Sequence, residues 1–267
     1  MDQTIGFIGA GNMGGAMIGG IVGAGLVQPG QIVVSDVSPR QLERVREEYG
    51  VRTTADNAAA AAADVVFLAV KPQYYPPVID SIRQAVGEQT VVVSIAAGQS
   101  LRHLEELFGR PVKLVRAMPN TPALVGAGMA ALCPNAAVSE EEMERVRALF
   151  ESFGLAERVS EEQMDAVTAV SGSSPAYVYL LIEAMADGAV AGGLPRDKAY
   201  RFAAQAVLGS AKMVLETGRH PGELKDMVCS PAGTTIDAVA KLEEKGFRAA
   251  VMAAVETCRD KSRRMTR

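Results

Sequence analysis

The chain has 267 residues, enough for a sizeable hydrophobic core and for one or two domains. Its 48% hydrophobic and 22% charged content is that of an ordinary soluble globular protein, and a formal net charge of −4 offers no electrostatic basis for binding nucleic acid or an anionic membrane. Cys133, Cys229 and Cys258 are too few and too far apart for a disulfide framework or a zinc ribbon, so no metal is expected and a reducing, cytoplasmic setting is the default. Met1-Asp2-Gln3 lacks the basic start of a signal peptide. The most apolar helical stretch, Ala176 to Ala191, is interrupted by Glu183 and Asp187 before membrane-spanning length.

In chain order, the first element is the one around which the rest is arranged. Thr4 to Gly15 reads TIGFIGAGNMGG: an apolar strand candidate, Ile5 to Ile8, runs into Gly9, Gly11 and Gly14, and the helical pattern of Met13, Met17, Ile18, Ile21 and Val22 follows. This is the strand, turn and helix of a dinucleotide-binding unit. Gly9 permits the tight turn, Gly11 keeps side chains away from the pyrophosphate, and Gly14 lets the helix approach the strand. Further strands are expected at Ile32 to Ser35, Val65 to Val70, Val91 to Ile95 and Lys113 to Arg116. Crossover helices are expected at Pro39 to Tyr49 and Tyr75 to Val86, with a short alanine helix at Ala58 to Ala63. The alternation is that of a parallel α/β sheet covered on both faces.

After about Glu161 the strand signals stop. Helices are expected at Val167 to Gly192, Arg196 to Thr217, Thr235 to Glu244 and Phe247 to Arg263, punctuated by Gly193, Pro195, Gly218, Pro221 and Gly246. The fold class is therefore α/β: a nucleotide-binding domain over residues 1–161 followed by an all-helical domain over 162–267. The later helices are apolar on more than one face, and so few residues cannot cover that surface alone, so a homodimer or larger assembly through this half is expected.

Asp36 ends the second strand candidate, where an acidic side chain takes the ribose 2′-hydroxyl and favours NAD. Ser38 and Arg40 follow, and an arginine there can accept a 2′-phosphate. Ser38 before Pro39 reads equally well as a helix cap, so the choice between NAD and NADP stays open. The Ala69-Val70-Lys71-Pro72-Gln73 and Ala96-Ala97-Gly98 loops lie beyond the carboxyl ends of their strands and face the cofactor. Lys71 is either a phosphate or ribose contact or a surface lysine. Asn120 and Thr121, between two prolines, are either site residues or ordinary turn chemistry.

In the helical half, Ser171 to Tyr177 and Ser230 to Thr235 are polar loops that open helices. The second exposes amides from about Gly233 onward beside the hydroxyls of Ser230, Thr234 and Thr235, a carboxylate site without any arginine. The chain has only two histidines, His103 and His220, and neither lies in these loops. Oxidising an alcohol needs a base, whereas reducing a protonated imine needs a placed hydride and a hydrogen-bond partner for nitrogen, and a hydroxyl-rich, base-poor site suits the second.

The motifs GFIGAGNMG (Gly6 to Gly14), AVKPQ (Ala69 to Gln73), MPNTP (Met118 to Pro122), SGSSPAY (Ser171 to Tyr177), HPGELKD (His220 to Asp226) and SPAGTTI (Ser230 to Ile236), in this order, resemble the pyrroline-5-carboxylate reductases over nearly the whole chain. The resemblance implies a Rossmann domain followed by a helical dimerisation domain, with dimers often assembled into decamers. It implies reduction of L-1-pyrroline-5-carboxylate to L-proline by NADPH or NADH, the last step of proline biosynthesis. It assigns Ile8, Gly9, Ala10, Gly11, Asn12, Met13, Asp36, Ser38, Asn57, Ala69, Val70, Lys71, Pro72, Ala96, Ala97 and Gly98 to the dinucleotide. Ser230, Gly233 and Thr234 fall to the substrate carboxylate, and Thr235, as the catalytic residue, to the ring nitrogen. It also implies that this loop serves the partner subunit. The chain departs from the family pattern at Ser174 and Ala232, where glycine is usual, and Ala232 places a Cβ in a tight loop. The competing readings are a β-hydroxyacid dehydrogenase, which would want a lysine soon after Ser171 where the first is Lys198, and a non-catalytic nucleotide-sensing oligomer, which would not need the hydroxyls at 230–235.

Overall fold

In the computed structural model, which describes residues 3–266, the chain forms two compact units. Met1 and Asp2, read above for a targeting segment, lie outside the described residues. The first unit runs to Ser173 and takes in the chain from Cys258 onward; the second is Ser174–Thr257. The stretch from about 162 to 173 and the end of the chain, which the sequence boundary gives to the helical half, thus pack with the nucleotide-binding half. Asp165 holds the terminal helix there: its Oδ1 accepts from Ser262 Oγ at 2.6 Å and Thr266 Oγ1 at 3.4 Å. Cys258 Sγ donates to Ser173 Oγ at 3.2 Å.

The first unit is built as β1 (Ile5–Ile8), α1 (Asn12–Gly23), β2 (Ile32–Ser35), α2 (Pro39–Tyr49), β3 (Arg52–Thr54), α3 (Asn57–Ala61), β4 (Val65–Leu68), α4 (Tyr75–Ile82), β5 (Val91–Ser94), α5 (Leu101–Phe108), β6 (Lys113–Met118), β7 (Gly128–Pro134), α6 (Glu140–Glu151), β8 (Gly154–Arg158) and α7 (Met164–Val167). The strands form one sheet in the order β3-β2-β1-β4-β5-β6-β7-β8. All pairings are parallel except β6 with β7. Parallel strands buried on both faces need apolar side chains on both. Phe7, Val65, Phe67, Val91, Val93 and Val115 point to one core, and Ile8, Val66, Leu68, Val92 and Leu114 to the other. On the first face Phe7 stacks on Phe67 with ring centroids 4.7 Å apart, and Phe67 meets Phe150 of α6 edge-on at 5.8 Å. The order reverses at β1: β2 lies on one side and β4 on the other. In open α/β sheets, ligands sit in the crevice beyond the carboxyl ends of the strands at such a point.

The strands expected from sequence are all present, with ends moved by one or two residues: β4 stops at Leu68, β5 at Ser94, and β6 continues to Met118. Three strands, β3, β7 and β8, and helices α5, α6 and α7 are not among the elements the sequence pattern predicts. β3 is a three-residue polar edge strand and β8 reads GLAER, so neither shows an apolar run; β7 reads GMAALCP, without a β-branched or aromatic residue. The long helix expected from Val167 instead begins with a π-helical turn at Thr168–Gly172.

The second unit contains α8 (Ser174–Ala191), α9 (Arg196–Thr217), α10 (Pro221–Met227), α11 (Thr234–Glu244) and most of α12 (Phe247–Met265). α8 and α9 pack together, and the side chains they bury are alanines: Ala186, Ala199 and Ala203. Large apolar side chains stay exposed, Leu180 at 68%, Phe202 at 69% and Leu215 at 71% among them. Among the described residues no helix is long and apolar enough to cross a membrane.

At the start of α6, Glu142 closes a capping box with Ser139 and meets Lys113 Nζ at 2.6 Å. Desolvation pushes its pKa up, but the Lys113 bond and the Ser139 amide and hydroxyl prevail and hold it below the ordinary carboxylate value. A lowered folded-state pKa contributes stability above the unfolded pKa, and that contribution is lost as pH falls through the lowered one. Glu142→Gln is therefore expected to be less stable near neutrality by about 1–2 kcal/mol and to lose less on acidification. Urea denaturation at about pH 7 and about pH 3 checks this, and parallel losses in both proteins would exclude it.

Candidate functional site

The crevice at the end of β1 is set by backbone approaching backbone. Gly9 has φ +106°, and a Cβ there would lie 2.5 Å from the Ala69 carbonyl oxygen; a Cβ on Gly14 would lie 2.4 Å from the Gly9 carbonyl oxygen. Both positions exclude a side chain, one by conformation and one by contact. Over Gly11 the opposite holds: a Cβ would meet nothing within 4 Å, so the space in front of the turn is open. Gly11 is also the N-cap of α1 and has no side-chain cap, which leaves the first amides of the helix without a competing acceptor. An open cradle in front of uncapped amides fits a pyrophosphate.

Ile8 and Ala10 are buried, while Asn12 and Met13 start α1. Asp36 is engaged by backbone: its Oδ2 accepts from Ala10 N at 2.7 Å and its Oδ1 from Ser38 N at 2.8 Å. Ser38 occupies the N-cap position of α2 but its side chain makes no cap bond, so of the two readings of this serine the hydroxyl is not used by the helix. Asn57, at the start of α3, accepts from Ser35 Oγ at 2.9 Å and donates to Ser81 Oγ at 3.2 Å, which fixes its amide.

Ala69 and Val70 follow β4, and exposed Lys71 precedes a short 3₁₀ turn that begins at Pro72. This loop and the Ala96–Gly98 loop share an anchor that sequence reading missed. The Tyr75 hydroxyl, fully buried, donates to the Leu68 carbonyl at 2.9 Å and lies 2.9 Å from Ser94 Oγ, joining the carboxyl ends of β4 and β5. Burial raises the phenol pKa far above its ordinary value, so the group is a neutral hydrogen-bonding post. Ala96 is buried and Ala97 half-buried. Gly98 has φ +73°, and a Cβ on it would sit 3.0 Å from the Met265 carbonyl oxygen, so its smallness also makes room for the end of α12.

Asn120 is consumed by structure. Its Oδ1 accepts from Met129 N at 2.9 Å, and its Nδ2 donates to the Ser171 carbonyl at 3.2 Å. Arg44 also went unnoticed in the sequence, since no local pattern marks it: its Nη2 donates to the Ala10 carbonyl at 2.7 Å across 34 residues.

In the helical unit, Gly233 is the N-cap of α11 and again no side chain caps it. Its amide donates to the Ser230 carbonyl at 3.0 Å, closing the turn. Ser230 and Thr234 are exposed and Thr235 half-buried at the helix start, so three hydroxyls flank uncapped amides. The turn carries a strained residue. Ala232, with φ 55°, is the one non-glycine residue with positive φ among those described. Among the described residues no group of three or more His, Cys, Asp or Glu is placed to hold a metal.

Residues 161–265 match the family model described as pyrroline-5-carboxylate reductase dimerisation, and residues 4–98 the model for NADP oxidoreductase, coenzyme F420-dependent. The chain is 53% identical to the pyrroline-5-carboxylate reductase of Escherichia coli (strain K12), with 100% of each covered. It is similar to the solved pyrroline-5-carboxylate reductase of Coxiella burnetii (TM-score 0.94, 35% identity, 100% of each chain covered). The Plasmodium falciparum pyrroline carboxylate reductase, solved with NADP bound, matches with TM-score 0.90 and 33% identity over 100% of this chain and 99% of that one.

The strain at Ala232 is measurable. Ala232→Gly is expected to raise the unfolding free energy by about 0.5–1 kcal/mol, the αL penalty less the entropy glycine adds to the unfolded chain. Thermal melts compare the two proteins; a lower melting temperature in the variant would show that the methyl is held by packing and not by strain.

Proposed function

The chain belongs to the pyrroline-5-carboxylate reductase family, and from that premise we propose that it reduces L-1-pyrroline-5-carboxylate to L-proline with NADPH or NADH, the last step of proline biosynthesis. The observation that carries this reading is identity of 53% in a match that covers the whole of both chains. When bound, the nicotinamide supplies the hydride that adds to the C=N carbon; one proton on nitrogen completes the amine.

The residues of the chain do the holding. Ile8, Gly9, Ala10, Gly11, Asn12 and Met13 form the pyrophosphate turn. Asp36, Ser38 and Asn57 lie toward the adenosine, and Ala69, Val70, Lys71 and Pro72 with Ala96, Ala97 and Gly98 line the nicotinamide side. The fit rests on the open space over Gly11 and the uncapped start of α1. At α11, Ser230 and the amides of Gly233 and Thr234 bind the substrate carboxylate, and the Thr235 hydroxyl hydrogen-bonds the ring nitrogen, orienting it and helping to protonate it. No general base is required, because reducing an imine takes up a proton and removes none.

The assembly is a homodimer through the helical half, with decamers built from dimers, and the α11 loop of one subunit serves the cofactor domain of the other. The exposed apolar faces of the second unit and the match to a dimerisation model support this. We place the enzyme in the cytoplasm, with residues 1–161 and 162–267 as its nucleotide-binding and dimerisation regions and with no nucleic-acid or membrane partner.

Initial rates of NADPH and NADH oxidation by the purified protein with pyrroline-5-carboxylate test the activity; no rate with either cofactor would end it. Thr235→Ala is expected to lower kcat about tenfold or more while cofactor affinity holds. Unchanged turnover would remove Thr235 from its role.

A further inference from the structure

The glycine turn is held from outside at two consecutive peptide groups. The amide on the N-terminal side of the Ala10 α-carbon donates to Asp36 Oδ2 at 2.7 Å, and the carbonyl on its C-terminal side accepts from Arg44 Nη2 at 2.7 Å. Because a trans peptide is planar, its N–H points opposite to its C=O. A carbonyl drawn toward Arg44 therefore turns the Gly11 N–H away from it. That N–H has no acceptor within the described chain, and Gly11 borders open space.

Arg44 is itself fixed. Its Nε donates to Gln41 Oε1 at 3.0 Å, and its Nη1 lies 3.5 Å from Glu48. The guanidinium rests against Gly15 of α1, where a Cβ would come within 2.9 Å of Nη2 and 3.2 Å of Nη1. Gly15 therefore provides the seat for Arg44, and any larger residue there pushes the guanidinium off.

We propose that Arg44, seated on Gly15 and paired with Asp36 across Ala10, is a positioning residue that sets the glycine turn and aims the Gly11 amide at the cofactor pyrophosphate before the cofactor arrives. The inference rests on the reading of this crevice as the dinucleotide site. It gives Asp36 a second task besides ribose: holding the turn. Since the pyrophosphate is common to both nicotinamide cofactors, the clamp serves NADPH and NADH equally. Preorganisation acts on affinity, so the loss on breaking it falls on KM and Kd and not on kcat.

The test uses full-length protein with NADPH and NADH as separate probes, binding followed by calorimetry. Arg44→Met keeps the apolar stem and removes the donor; it is expected to raise Kd for both cofactors about tenfold, by the same factor. Gly15→Ala displaces Arg44 without removing it. It should weaken both cofactors similarly while raising the melting temperature, because alanine favours the helix. The double variant should be no weaker than Arg44→Met alone. A merely structural role would not separate affinity from stability in this way. Unchanged Kd in Arg44→Met would overturn the proposal, and so would a loss confined to NADPH, which would make Arg44 a 2′-phosphate contact. If the wild-type protein bound neither dinucleotide, the reading of the crevice would fail and the clamp with it.

Discussion

Everything at the nucleotide-binding end depends on three pieces of backbone that touch without side chains between them. The end of β1 passes within contact of the end of β4 at Gly9, and α1 closes on the same turn at Gly14. That contact decides where the sheet reverses order, how near the first turn of α1 comes to the crevice, and which amides are left for an anion. Adding one methyl at either glycine would need a shift of backbone, which the surrounding parallel strands, buried on both faces, do not allow.

Around this contact the structure spends its buried polar groups on loops. The Tyr75 hydroxyl ties the ends of β4 and β5 together. Glu161 accepts from the Leu101 amide at 2.7 Å and from buried Arg116 at 3.0 Å, securing the start of α5 behind the Ala96–Gly98 loop. Asn120 staples the turn after β6 to Ser171. Apart from the seven-residue Tyr75–Leu68 bond, each joins segments distant in sequence, and all lie near the carboxyl edge of the sheet. A loop that must present small residues to a ligand cannot hold itself by its own side chains, so neighbouring elements hold it.

The legible parts of the molecule were those whose cause is local. A glycine turn between an apolar strand and an amphipathic helix, a helix opened by serine, threonine and glycine, and apolar runs of strand length all announce themselves within a dozen residues. β3 and β8 did not, because edge strands in polar sequence carry no periodic signal. Arg44, Tyr75 and Asn120 did not either: their partners lie far away in sequence or, for Tyr75, on the neighbouring strand, and nothing in an arginine, tyrosine or asparagine tells which carbonyl it will meet. The resemblance to a family supplied candidate site residues at once, but it could not show that Asp36 is tied to Ala10 or that Gly98 also makes room for Met265.

The charge balance at the turn gives the Asp36–Arg44 arrangement a further logic. A chain of net charge −4 that takes up a dinucleotide and a carboxylate substrate has no help from its overall field, so local groups, oriented amides at helix starts among them, supply the attraction. A carboxylate beside the phosphate turn would work against those amides. With Arg44 gripping the carbonyl of the same residue whose amide Asp36 holds, groups of opposite charge flank Ala10, while the amides of Gly11 and the first turn of α1 remain turned to the open crevice. Asp36 shapes the turn through both its oxygens, each of which accepts from a backbone amide, Ala10 on one side and Ser38 on the other.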